Sequence, residues 1–157
     1  MRTAGAGSSA AVELKSGHVG IRIGLSAAQA FGGQELGVSA EFSIAPGWHI
    51  YGAPVPGSYT ATAIRFETHH VASYSFKFPP PQTKRFEALG ETLPVHAGNF
   101  TAAGRVLLKF PLQPADYTLA GTVDLQQCSD TECEAPQIIR FQLPIKVAAT
   151  IPEPKRG

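Results

Sequence analysis

Leu36-Gly37-Val38-Ser39-Ala40-Glu41-Phe42-Ser43-Ile44 carries an apolar side chain at every second position. Successive side chains of an extended strand point to opposite faces, so this stretch predicts a strand with one face in a core and the other in water. The same alternation precedes it at Val19, Ile21, Ile23 and Leu25, and follows it at Ile64 and Phe66 within Thr60 to Glu67. It returns at Val106, Leu108 and Phe110, at Tyr117, Leu119, Val123 and Leu125, and at Ile139, Phe141, Leu143, Ile145 and Val147. Turn formers punctuate these runs at Gly32-Gly33, Pro46-Gly47, Pro54 to Gly57, Pro79-Pro80-Pro81, Gly98-Asn99 and Pro114 to Asp116. No long window shows the helical period with a cap at its front, and Ser26 to Phe31 offers one turn of helix at most. Many short alternating strands between turns predict an all-β chain built as an antiparallel β-sandwich.

A chain of 157 residues, 43% of them apolar, is the size of one domain and can bury a two-layer core. The predicted organisation is a flexible N-terminal segment over residues 1–15, one domain over 16–149, and a C-terminal tail or linker over 150–157. Thirteen basic against twelve acidic residues leave a formal charge of +1, too little to gather nucleic acid or an anionic membrane surface. No run approaches the roughly 18 apolar residues that span a bilayer, and Met1 to Gly5 lacks the apolar run of a secretory signal. That start does not exclude export, because small residues such as Ala4 to Ser9 can remain where a signal has been removed, and the compartment has to be read elsewhere.

Both cysteines fall within Gln127-Cys128-Ser129-Asp130-Thr131-Glu132-Cys133-Glu134-Ala135-Pro136, after one predicted strand and before another. If the flanking strands pair, the residues between the cysteines form a turn and the two Cβ atoms come within the roughly 4 Å that a disulfide needs. A bridge this local is no inter-sheet staple. It closes a ring of about six residues, worth roughly 2 kcal/mol in chain entropy, which is a weak reason for its placement. Three readings stay open: a local structural disulfide, a pair that exchanges bonds with other thiols, and a metal site. The last needs two further ligands, and the scattered His18, His49, His69, His70 and His96 do not supply them at matching spacing. For exchange, Asp130, Glu132 and Glu134 oppose thiolate formation, and no basic residue lies inside the loop. Such a pair suits a shuttle that waits for a partner to orient it, and Lys84, Arg85 or Arg140 would soften the acidity if the fold brought them near.

The run Cys128 to Pro136 resembles the active-site segment of the amino-terminal periplasmic domain of DsbD, the thiol:disulfide interchange protein. Pro46-Gly47-Trp48-His49-Ile50-Tyr51 resembles the Gly-aromatic-x-x-Tyr strand of such domains, and Phe86 to Val95 resembles the loop and strand that follow. The resemblance spans residues 18 to 148, and its specificity lies in the three segments occurring together in the right order. It implies an immunoglobulin-like β-sandwich that takes electrons from a thioredoxin-like donor domain and passes them to exported, disulfide-containing client proteins. A membrane-embedded domain, which belongs to the same longer protein in that family, feeds the donor. The implied location is periplasmic or otherwise exported, and no cofactor or metal is needed.

By position, Cys133 matches the family cysteine that forms the mixed disulfide and Cys128 the one that resolves it. Phe86 matches the aromatic of a loop that caps the sulfurs and, beside charges and after prolines, is expected to be exposed. Lys84, Arg85, Tyr51 and Asp130 are the further candidates for the cap or for contact with a partner, although Trp48, Tyr51 and Phe86 are all of types more often found in a core. Two departures stand out. The cysteines are separated by four residues where the best-known member has a longer gap, and Lys84-Arg85 stand where acids are expected before the cap aromatic. The rivals are a non-enzymatic immunoglobulin-like binding module with Cys128 and Cys133 as an inert clip, and a domain for metal or sugar handling, for which no ligand cluster or aromatic platform is visible.

Overall fold

A computed structural model describes residues 11–149. Thirteen strands follow one another along them: β1 Ala11–Ser16, β2 Val19–Leu25, β3 Gln29–Phe31, β4 Glu35–Ile44, β5 His49–Tyr51, β6 Ala63–Phe66, β7 Val71–Lys77, β8 Gln82–Phe86, β9 Glu91–His96, β10 Asn99–Leu108, β11 Ala115–Leu125, β12 Gln127–Cys128 and β13 Gln137–Ala148. They form a five-stranded sheet in the order β1-β2-β4-β10-β7, a four-stranded sheet β3-β13-β11-β6, and a smaller sheet β12-β5-β9-β8. The first two face each other as an immunoglobulin-like sandwich.

Alternation decides which face goes inward. Leu36, Val38, Ala40, Phe42 and Ile44 of β4 are buried, as are Val19, Ile21, Ile23 and Leu25 of β2. From the opposite sheet Leu119, Val123 and Leu125 of β11 and Phe141, Leu143 and Ile145 of β13 meet them in one core. Each such side chain contributes on the order of 1.5–3 kcal/mol by leaving water. β11 runs between β6 and β13, and a methyl at Gly121 would collide with the Arg65 carbonyl and the Phe141 ring. At this crossing only glycine fits.

The structure departs from the sequence expectations in several places. Ser26 to Phe31 makes no helical turn; its end is β3, which pairs in parallel with β13 at Gln29↔Lys146. Phe110, in phase with Val106 and Leu108, lies beyond the end of β10 and is 80% exposed. β7 was not legible, because Ala72 to Ser75 are exposed on both faces and carry no alternation. The folded part also reaches back into the segment expected to be flexible, since Ala11–Ser16 pairs with β2 from Ala11↔Gly24 to Ser16↔Val19. The rest of that segment and the expected tail at 150–157 lie outside the described residues.

Candidate functional site

β11 and β13 pair along their whole length, from Ala115↔Val147 to Leu125↔Gln137, and the chain between them leaves the sandwich as an excursion over residues 126–136. Two glutamines hold its base. Gln127 is fully buried; its Nε2 donates to the Ser16 carbonyl at 2.8 Å and to Gln137 Oε1 at 2.7 Å, and its Oε1 accepts the His18 N–H at 2.8 Å. Gln126 Oε1 accepts the Thr60 N–H at 3.0 Å, and its Nε2 donates to the Glu134 carbonyl at 3.1 Å. A buried amide is tolerated where its donors and acceptor are matched, as both of these are. The excursion then pairs with β5, Gln127 opposite Ile50 and Cys128 opposite His49.

Cys128 and Cys133 face each other as an antiparallel bridge and are joined by a disulfide. The turn between them is tied by Ser129, whose N–H donates to the Glu132 carbonyl at 2.8 Å and whose Oγ accepts the N–H groups of Thr131 and Glu132, each at 3.2 Å. The two half-cystines differ in access. Cys128 is fully buried, whereas Cys133 is exposed. Of the two, Cys133 is the half-cystine open to solvent.

Tyr51, from the middle of the small sheet, brings its hydroxyl to 3.2 Å from Cys128 Sγ and 3.4 Å from Cys133 Sγ. In the oxidised pair neither sulfur carries a proton, so the hydroxyl is the donor. Burial, reinforced by Tyr59 and Glu91, pushes the Tyr51 phenol up to about 12. It stays protonated and available as a donor throughout the neutral range. Tyr59 in turn donates to Glu91, and that contact raises its own ionisation above the usual value.

A second, smaller core lies under the disulfide and joins Tyr51, Phe86, Leu93, Val95 and Cys128. The expectation that Phe86 is exposed is corrected here: it is 2% exposed, because β8 ends on it and turns its ring inward against Tyr51 and His49. Its burial places an apolar ring in the same cluster as Cys128. Beside it, Ala88, Leu89 and Phe86 join Ser129 to Cys133 around a hollow of about 120 Å³ that opens next to the exposed half-cystine.

The fold brings Lys84 and Asp130 together at 3.1 Å, with the ammonium 5.8 Å from the centre of the Phe86 ring. Arg85 points elsewhere and pairs with Glu87 at 3.6 Å. Of the basic pair, Lys84 alone meets the cysteine loop. Glu134 also reaches the β1–β2 turn, where His18 stacks on Trp48 at 3.7 Å and its Nε2 lies 3.5 Å from Glu134.

Sequence reasoning treated His49 as one of several scattered histidines. In the structure it is buried directly opposite Cys128, with burial and the Lys84 charge holding its imidazole below the usual histidine range against a smaller opposing pull from Asp130. Only the β5–β12 register reveals it. No group of three or more His, Cys, Asp and Glu side chains gathers as a metal cage among the described residues.

Residues 24–144 match the family model described as "Thiol:disulfide interchange protein DsbD, N-terminal". Among solved structures, the N-terminal periplasmic domain of ScsB from Proteus mirabilis is similar with a TM-score of 0.62 at 17% identity, over 86% of this chain and 50% of that one. This chain therefore spans about half the length of that structure. The N-terminal domain of Neisseria meningitidis DsbD, in its reduced form, aligns with a TM-score of 0.44 at 16% identity, over 71% of this chain and 82% of that one. No curated protein sequence matches.

Proposed function

The chain belongs to the family of the N-terminal domain of thiol:disulfide interchange protein DsbD, and from that premise we propose that it carries reducing equivalents between proteins through Cys128 and Cys133. The observation that carries this reading is the unequal access of the two half-cystines: Cys133 exposed, Cys128 sealed in a small core with a tyrosine hydroxyl on both sulfurs.

A thioredoxin-like donor attacks Cys133 with its thiolate; the Cys128–Cys133 bond breaks and Cys128 leaves with the electron pair. The donor's second thiolate then releases Cys133, and the domain departs reduced. Reduced Cys133 attacks the disulfide of an exported client, and Cys128 resolves that mixed disulfide. Both encounters are brief, since a carrier that held either partner would stop turnover. The hollow formed by Phe86, Ala88 and Leu89 suits an apolar contact beside the partner's sulfur, with Phe86 as the inner wall of the cap and Lys84 and Asp130 at its rim. A periplasmic location, supply of the donor by a membrane-embedded domain of a longer protein, and operation without cofactor or metal complete the proposal.

A Cys128→Ser variant, carrying Cys133 as its mixed disulfide with 2-nitro-5-thiobenzoate and mixed with a reduced thioredoxin-like donor domain that lacks its resolving cysteine, is expected to release the chromophore and accumulate a covalent complex through Cys133 that dithiothreitol dissolves. A Cys133→Ser variant is expected to form none. No complex with either variant, together with a disulfide potential well below about −300 mV, would establish the pair as an inert clip.

A further inference from the structure

Among the described residues, His49 Nε2 is the buried side-chain nitrogen or oxygen that has no hydrogen-bond partner. A polar atom orphaned in this way costs on the order of 1–3 kcal/mol. A redox or catalytic role is one reason such an atom persists, and the reduced state of the neighbouring disulfide offers it a donor. His49 stands directly opposite Cys128 in the β5–β12 pairing, and opposed residues project to the same face with Cβ atoms about 4.5–5.5 Å apart. Tyr51 shares that face two residues along, and its hydroxyl already touches Cys128 Sγ at 3.2 Å. The Phe86 ring closes over both, 4.9 Å from the His49 ring and 6.2 Å from the Tyr51 ring.

Reduction turns Cys128 Sγ into a buried thiol. Burial favours the thiol over the thiolate, yet the thiolate is what must attack to release a client held on Cys133. The groups around it differ in what they can do. Tyr51 keeps its own proton to about 12 and donates rather than accepts. Lys84 on β8 and Asp130 in the turn are paired with each other at 3.1 Å. From β9, Val95 carries no charge, and His96, opposite Ile50, is itself held neutral by burial. His49 is neutral for the same reason, with the Lys84 charge added, and has a nitrogen free to accept.

We propose that His49 Nε2 is the base that takes the proton of Cys128 when Cys128 resolves a mixed disulfide on Cys133. This rests on the exchange reading above and assigns the residue that sets the rate of its last step. The Cys128 S–H bond breaks and its proton moves to Nε2. The freed electron pair forms the Cys128–Cys133 bond, the bond between Cys133 and the client sulfur breaks, and its electrons leave on the client as thiolate. Cys128 is oxidised and the client sulfur reduced. The imidazolium returns its proton to solvent through the cleft of about 380 Å³ that His49 lines with Trp48, Gln82, Lys84 and Asp130.

The reduced protein is mixed with 5,5′-dithiobis(2-nitrobenzoate), whose first chromophore is released by attack of Cys133 and whose second is released when Cys128 resolves the adduct. In His49→Gln the second phase is expected to slow roughly a hundredfold near neutral pH and to recover as the pH rises, with the first phase unchanged. A second phase at the wild-type rate, or both phases slowed alike, overturns the assignment. A measurement on the wild-type protein needs no variant to fold: the His49 Nε2 nitrogen-15 resonance is expected to shift on reduction as it gains a hydrogen-bond donor, and an unmoved resonance overturns the assignment equally. A wild-type protein that shows no second phase would instead remove the exchange reading, and this assignment with it.

Discussion

The Tyr51 hydroxyl sits between two sulfurs of unequal access and has one proton to offer to either. A hydrogen bond to a charged acceptor contributes about 1.5–3 kcal/mol, so the same hydroxyl stabilises whichever sulfur is a thiolate once the bond is broken. Tyr51→Phe is expected to raise the lower thiol pKa of the reduced pair by about one unit and to slow exchange near neutral pH about tenfold. Thiolate absorbance followed through a pH titration reads the first, and an unchanged titration curve counts against a role for the hydroxyl. The variant should also remove the tyrosine that ionises at about 12. In the sequence Tyr51 was a core aromatic and a contact candidate at once, and the structure makes its ring core and brings its hydroxyl to the disulfide.

At the scale of the element, the excursion over 126–136 is fastened at its base and at its tip by different side chains. Gln127 ties β12 to the carbonyl and amide at the β1–β2 turn and to the first residue of β13, while the tip is held by the hydroxyl and amide of Ser129. Gln127→Ala strands the half-buried Ser16 carbonyl and His18 amide together with Gln137, and is expected to destabilise the domain by roughly 1–3 kcal/mol in urea unfolding. A loss under about 0.5 kcal/mol would show that water replaces the amide at no cost. The pairing of the long strands on either side of the cysteines was legible, because the alternation of Tyr117 to Leu125 and of Ile139 to Val147 marks both. The small sheet showed only through the resemblance of Pro46 to Tyr51 and of Phe86 to Val95, and not through alternation. β5, β8 and β12 are too short for alternation to register, and His49, Ile50 and Tyr51 of β5 are all buried, so that strand shows no inside and outside.

At the scale of the whole molecule, two buried histidines link stability to pH. His49 and His96 both hold their imidazoles below the ordinary 6.5, in each case chiefly through burial. The unfolded chain then takes up protons before the folded one does, so the stability these residues lend is complete above about 6.5 and lost as the pH falls through the folded values. The urea midpoint is expected to decline between about pH 7.5 and pH 5, and less steeply in His96→Phe. A midpoint that holds constant over that interval would mean the two imidazoles titrate alike folded and unfolded.

The sandwich follows from an arithmetic of neighbours two residues apart, which the chain displays directly: Leu36 to Ile44 and its counterparts state which side chains face inward before any tertiary contact exists. The cysteine spacing likewise allowed a local bridge, conditional on the flanking strands pairing. What only the folded molecule decided is which sulfur is reachable, which hydroxyl serves the pair, and that His49 lies opposite Cys128. These depend on the register between segments far apart in the chain. Register is fixed by the packing of whole sheets, and a one-residue slip would turn every one of these side chains to the other face.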